Sequence, residues 1–333
     1  MDPVTHALSG VCISRALPRK VRGRDATIVV IAAALIADID VAWSLAEPAT
    51  AALNRHMVTH SLVGLAGLAV VGGVAARLAF RRLSLPAYTA LAGVGLAAHV
   101  GLDLINAFGV GLFYPFSHVR FELPLVFIVD IVLMGLLLAG AVWPWARGDP
   151  GAKAAASRWA LGLVGVYLAA CLGLRISAAE VVTARASAVP QDGGAWTYLV
   201  PELGAPLRWK GIYRDGAVFR QILVRPLTGG AVELSAVGSF PEEPSVAAVR
   251  ATPTGRRIDL FLKAPVWRAD KDGVAVYDLR FRFATLGNDW DPFGFRFQRK
   301  GNAVILVRDD AGTYLGFWLQ ALLRLGDASA SQP

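Results

Sequence analysis

Charge is what this sequence has least of. Only 17% of its 333 residues are charged while 55% are hydrophobic, and a mean hydropathy of +0.50 excludes an ordinary soluble chain and predicts a membrane protein. Cysteine is scarce as well: Cys12 and Cys171 lie far apart in apolar segments, which excludes a disulfide framework and a cysteine-rich zinc motif. The start lacks a basic stretch followed by a short apolar run and a small-residue cleavage site, so it is not read as a removable signal peptide. No internal repeat is visible.

The long apolar runs are Thr27 to Leu45, Ser61 to Phe80, Pro86 to Ile105, Leu123 to Val142 and Trp159 to Ile176, with a shorter one from Val4 to Leu17. A spanning helix needs about 20 apolar residues. The fold expected is an α-helical integral membrane domain of five to six membrane segments, residues 1–179, followed by a β-rich extramembrane domain, residues 180–333. Composition shifts near Glu180, and beyond Trp196 period-two alternation recurs at Val218–Arg225, Ala231–Val237, Arg256–Lys263, Val274–Phe283, Phe293–Arg299 and Ala303–Arg308. In the fourth, Arg280 and Arg282 alternate with apolar neighbours, which predicts a strand with two arginines on its solvated face. Ala178–Ala188 is read as a continuation of the last helix, and Tyr314–Leu325 as an aromatic-rich helix.

The formal net charge of +8 would suggest nucleic acid in a small soluble domain, but the basic residues gather in alternate short loops, such as Arg19, Lys20, Arg22 and Arg24, then Arg77, Arg81 and Arg82, then Arg147, Lys153 and Arg158. Orientation in a bilayer explains them, and no nucleic-acid partner is expected. The positive-inside rule puts these loops in the cytoplasm of a cell inner membrane and the C-terminal domain outside it. The same path brings Asp38, Asp40, His56, His60, His99 and Asp103 to the outer face. His6 joins them if the first short segment enters the membrane with its N-terminus outward.

Ionisable groups inside a span cost about 2.5 to 3.5 kcal/mol each and need partners. A divalent cation is one such partner. His56 and His60 are four apart, as are His99 and Asp103, and on a helix that spacing puts each pair on one face. Asp38 and Asp40 point about 200° apart on a regular helix. Either the backbone unwinds there, or one aspartate binds the ion while the other holds a ligand histidine, and Asp40 is taken as the ligand. His118 is expected at the surface. In His56-Met57-Val58-Thr59-His60 the catalytic Glu of a zinc-protease helix is replaced by Met57, which disfavours that class.

The motifs Asp2-Pro3-Val4-Thr5-His6, Ala37-Asp38-Ile39-Asp40, His56 with Thr59-His60-Ser61-Leu62, His99-Val100-Gly101-Leu102-Asp103, Pro115-Phe116-Ser117 and Asp130 together resemble the LexA-regulated, membrane-bound metal-dependent hydrolase family, which is grouped with zinc-dependent phospholipases C and single-strand-specific zinc nucleases. The resemblance implies that His6, Asp40, His56, His60, His99 and Asp103 hold divalent metal, zinc by analogy and in one or more ions. It also implies hydrolysis of a phosphoester or similar bond, with Asp38, Arg55 and Asp130 as catalytic candidates. The chain departs from the family in having Ala37 where Pro is usual and Met57-Val58 where Arg-Gly is usual, which leaves Arg55 as the neighbouring cation. The substrate expected is lipid or lipid-linked. A divalent-metal transporter and a structural membrane protein are the competing readings; a transporter should show repeated halves and ligands at the midplane.

Overall fold

The computed structural model describes residues 1–42, 46–143, 149–189, 196–202, 205–271, 273–282, 294–300 and 303–307. The Tyr314–Leu325 segment lies outside the described residues. The chain divides into two compact units, one of Met1–Asp40 with His56–Leu172, the other of Val41–Arg55 with Gly173–Pro333.

The first unit is helical. Helix α1 (Pro3–Ala16) starts where Asp2 accepts the Thr5 N–H at 2.9 Å and Pro3 fills the first turn. Helix α2 (Arg24–Ile36) gives way to a 3₁₀ turn over Ala37–Ala42. After the one-turn helix α3 (Ala51–Asn54) of the second unit come α4 (Leu62–Phe80), begun by the Ser61 cap, and α5 (Leu85–Leu104), begun by the Ser84 cap. Helix α6 (Ile131–Val142) starts at the Asp130 cap, and α7 runs over Pro150–Ser187, through the stretch read as its continuation.

Among the described residues three helices, α4, α5 and α7, are long and apolar enough to cross a membrane, fewer than the five to six segments expected. Helix α2 has 13 residues because the backbone tightens at Ala37, and α6 has 12 because it begins only after Asp130. At 1.5 Å per residue each is about 20 Å long, short of a hydrocarbon core of about 30 Å. Helix α4 leaves Val63, Val70, Val71 and Leu78 exposed, as does α7 Val166 and Ile176, the apolar outer surface a lipid environment takes up.

Close approach of the helices depends on small residues. A Cβ at Gly73 would stand 2.7 Å from the Thr89 Cα, where α4 meets α5, and one at Gly95 would stand 2.4 Å from the Val30 carbonyl oxygen, where α5 meets α2. Around the second contact Val30, Ala33, Tyr88, Leu91 and Leu96 form a buried core.

The second unit holds two four-stranded antiparallel sheets, each in sequence order. The first is β1 (Thr197–Pro201), β2 (Trp209–Asp215), β3 (Val218–Arg225) and β4 (Gly230–Gly238); the second is β5 (Pro265–Asp270), β6 (Gly273–Asp278), β7 (Gly294–Lys300) and β8 (Ala303–Val307). Gly216, at φ 60°, makes the tight turn between β2 and β3. Ile212, Phe219 and Val237 of the first sheet pack with Ala264, Val266 and Leu279. Ala178, Val182 and Ala186 of α7 cover Trp209, Ile222 and Val224.

Two strand expectations change. Arg256–Lys263 falls largely in helix α9 (Pro253–Phe261), which follows α8 (Pro244–Arg250), because Thr252 caps the Gly255 N–H at 3.0 Å with Pro253 behind it. That cap signal outweighs a short alternation. Val274–Phe283 ends as a strand at Asp278, and Leu279–Phe281 forms a 3₁₀ turn. Arg280 is therefore not on a solvated face: it is fully buried, bound to the Asp278 carboxylate at 2.8 Å and to the Phe261 carbonyl at 2.7 Å.

Candidate metal centre

Four elements of the first unit supply the site: α1 brings His6, the 3₁₀ turn Asp38 and Asp40, the segment before α4 His56 and His60, and the end of α5 His99 and Asp103. The contact at Gly95 sets the last of these. It holds α5 so close to α2 that His99, one turn further along, donates from Nδ1 to the Ala34 carbonyl at 2.6 Å. A carbonyl can only accept, so the neutral ring presents a bare Nε2 inward.

His60 reaches the same point from another direction. Its Nδ1 lies 2.9 Å from Thr59 Oγ1 and 3.6 Å from Asp40 Oδ2, and its Nε2 faces His99 Nε2 at 3.1 Å. Asp103 Oδ2 completes a triangle, 3.2 Å from His60 Nε2 and 3.1 Å from His99 Nε2. His56 Nε2 stands 3.6 Å from the same oxygen, and His6 Nε2 lies 3.4 Å from Asp103 Oδ1. The rings overlap in pairs, His6 on His99 at 3.8 Å and His56 on His60 at 4.3 Å between centroids.

These donors are buried and badly served by one another. His6, His60, His99 and Asp103 are 0% exposed, yet among the described residues Asp103 Oδ2 and both ring nitrogens of His6 find no hydrogen-bond partner. Each such orphan costs about 1 to 3 kcal/mol. A tetrahedral cation with bonds of about 2.0 to 2.1 Å keeps its donors about 3.4 Å apart, and the triangle edges of 3.1 to 3.2 Å fit one face of such a polyhedron. The donor atoms fall into two adjoining groups able to hold an ion, Asp38 with His56, His60 and Asp103, and Asp38 with His6 and His99. Imidazole and carboxylate donors suit zinc and its neighbours among the divalent metals.

Asp38 and Asp40 turn to different neighbours, as their spacing required, and it is Asp38, where Asp40 was taken as the ligand, that falls in the groups able to hold an ion. Asp38 belongs to both groups, with Oδ1 at 3.8 Å from His56 Nε2 and 3.9 Å from His99 Nε2. Asp40 stands behind the ligands, accepting the His56 N–H at 2.7 Å and flanking His60 Nδ1. Three residues per turn place side chains two apart on different sides.

His56 and His60 meet through turns, not along a helix, since α4 begins only at Leu62. His56 adopts φ 56°, a left-handed conformation costing a non-glycine residue about 1 to 3 kcal/mol. Asp40 holds its N–H, and its carbonyl accepts from the Gly111 N–H at 2.8 Å.

The remaining candidates belong to neither of these groups. Asp130 caps α6 through the Leu133 N–H at 2.9 Å and accepts from the Tyr167 hydroxyl at 2.7 Å. Arg55 is buried in the second unit, and His118 is exposed against Tyr114. Sequence reasoning gave no role to Thr59, to Asn106, whose Nδ2 donates to Asp103 Oδ1 at 3.4 Å, or to the Met1 amino group on the same oxygen. It also passed over Arg120, the buried arginine of this unit among the described residues, which lies over the Phe108 ring at 5.5 Å while that ring packs edge-on against His56. The signal available for Thr59 and Asn106 was their nearness in sequence to His60 and Asp103.

Searches of curated proteins and of solved structures return no match. The model of the YdjM inner membrane protein family, by contrast, matches residues 1–182, which include all four site elements and more than half of the chain. With its apolar helices and its buried histidine and aspartate groups, the chain belongs to the YdjM family of inner membrane proteins.

Proposed function

We propose that this membrane protein is a metal-dependent hydrolase acting on a phosphoester or similar bond of a lipid or lipid-linked substrate. The observation that carries the metal is the convergence of His60 Nε2, His99 Nε2 and Asp103 Oδ2 at 3.1 to 3.2 Å with the carboxylate oxygen otherwise unbonded. The resemblance of the motifs to the metal-dependent hydrolase family is what suggests hydrolysis.

In this reading His60, His99 and Asp103 bind, and Asp38, His56 and His6 complete one or two adjoining cation positions. A divalent cation bound there supplies Lewis acidity and lowers the pKa of water. The protein orients its ligands: Ala34 O keeps the proton of His99 on Nδ1, and Thr59 Oγ1, the hydrogen-bond partner of His60 Nδ1, holds the second ring, so that Nε2 faces the centre in both. Asp38, the more open of the two aspartates, is the group placed to accept a proton from water. Membrane residence makes an amphipathic substrate natural, and the distribution of loop charges supports a C-terminal domain, residues 180–333, that lies outside the cytoplasm.

The test is metal analysis of the purified full-length protein, of Asp40→Ala and of His60→Ala, with turnover of a chromogenic phosphodiester. The proposal expects stoichiometric metal and turnover in the wild type, both lost on chelation and restored by zinc, and both reduced in the variants. Normal metal content in both variants overturns the site. Stoichiometric metal with uptake of the ion into vesicles and no hydrolysis of any ester assigns it to transport instead.

A further inference from the structure

The second unit contains a cleft of about 130 Å³ whose walls differ in character from the rest of the molecule. Its lining includes three cations, Arg214 of β2, Arg250 of α8 and Lys263 after α9, and three aromatic side chains, Trp196, Phe219 and Trp267. None of its described lining residues is acidic. The Arg214 guanidinium is laid over the Phe219 ring at 5.3 Å from its centroid, and that of Arg250 is 6.0 Å from the Trp267 ring. Both rings are buried, so the cations border low-dielectric walls, which intensify the potential in the cleft.

Arg250 is compensated in part, by Asp259 at 3.0 Å and by the exposed Glu242 at 3.9 Å. Lys263 is half-buried, and no carboxylate or carbonyl is bonded to its ammonium among the described residues. Its backbone is fixed by the Asp278 carboxylate, which accepts the Lys263 N–H at 2.8 Å. A half-buried lysine with its backbone held in place, beside two arginines laid over aromatic rings, gathers three cations around a cavity large enough for a single tetrahedral oxyanion and part of what it carries. Guanidinium forks match such an anion bidentately, and an ammonium serves it as a point charge.

We infer that this cleft is a binding site for a small phosphate-class anion, held by Lys263, Arg214 and Arg250, with the aromatic walls taking the apolar or flat group attached to it. All the residues of the site belong to the second unit and none to the metal-ligand groups. A free phosphate and the head group of a phosphorylated organic molecule share the recognised chemistry.

Isothermal titration of the full-length protein in detergent tests this, with inorganic phosphate, glycerol phosphate and phenyl phosphate as probes. Asp103→Asn, Lys263→Gln and Arg214→Gln are titrated alongside. Saturable binding is expected in the wild type and in Asp103→Asn, falling about tenfold in Lys263→Gln and in Arg214→Gln, as loss of a charge-assisted contact requires. Lys263→Gln breaks no hydrogen bond or ion pair of that ammonium among the described residues, and with an unchanged melting temperature as its fold check its result stands even if Arg214→Gln perturbs β2. Tighter phenyl phosphate supports an organic ligand seated on the aromatic walls, and equal affinity for all three supports free phosphate at the same cations. Binding lost in Asp103→Asn but unchanged in Lys263→Gln assigns the anion to the metal centre and overturns the inference. So does the absence of saturable binding at ~10 mM probe, ten times a Kd of about 1 mM.

Discussion

Replacing Gly95 by alanine adds one methyl group more than a helical turn away from the nearest proposed ligand. A Cβ there would lie 2.4 Å from the Val30 carbonyl oxygen and 2.8 Å from the Ala33 Cβ. An ordinary carbon-to-oxygen contact is about 3.3 to 3.6 Å, so α5 must retreat from α2 by about 1 Å. Overpacking of this kind costs about 1 to 3 kcal/mol. The retreat also lengthens the 2.6 Å bond from His99 Nδ1 to the Ala34 carbonyl, and with it the constraint that aims Nε2. Loss of such an orienting partner weakens metal binding about 10- to 100-fold. The assay is a competition titration of zinc against a chromophoric chelator, with thermal unfolding followed in parallel. Gly93→Ala and Gly101→Ala serve as controls on the same helix, because a Cβ at Gly93 meets nothing nearer than 4.0 Å and one at Gly101 meets nothing within 4 Å. Wild-type zinc affinity in Gly95→Ala, or an equal loss in the two controls, would refute the argument that helix approach builds the centre.

Asp130→Ala removes a helix cap and a buried acceptor, and the two contributions sum to about 2 to 4 kcal/mol of lost stability; metal content is expected to stay at the wild-type level, and loss of metal without a fall in melting temperature would contradict the capping role. In the second unit, burial pushes the Lys210 ammonium down to about 8, with Glu202 and Asp278 opposing the shift. Because an unfolded lysine titrates near 10.4, the unfolded state binds more protons between about pH 8 and 10.4, and this residue's contribution to stability rises with pH across that window, by up to about 3 kcal/mol. Below pH 8 the gain is absent. Denaturant midpoints read from tryptophan fluorescence should show an upward slope with pH that Lys210→Met lacks, and parallel slopes would count against it.

The parts of the centre that could be read from the sequence are those where spacing alone determines direction. His99 and Asp103 sit on a regular helix, so four residues put them on one face, as expected. Asp38 and Asp40 had to diverge, but which one would join the donor groups depended on the hand and tightness of a 3₁₀ turn and on the partner that Asp40 met, the His56 backbone. His56 and His60 have helical spacing without a helix, since Ser61 delays α4 until Leu62. Asp130 looked like chemistry because a carboxylate in an apolar run is costly, and the structure shows that cost offset by a helix cap and a tyrosine. In the second unit, alternation located most strands, but it failed at Arg256–Lys263, where Thr252 and Pro253 start a helix, and at Arg280, where burial beside Asp278 replaced the expected solvent face. Span count failed for a related reason: apolar runs continue past the points where Ala37 and Asp130 end or begin the helices.

The positive φ at His56 has a bearing on how the protein tolerates change. A glycine or asparagine at that position would adopt the same backbone more readily, so drift there would be rewarded with a sturdier fold and an idle centre. The backbone of His56 is clamped by Asp40 and Gly111, so under the proposed function a cation would meet an imidazole whose backbone position the fold already sets, and the centre would discriminate by size and coordination angle in place of closing around the ion.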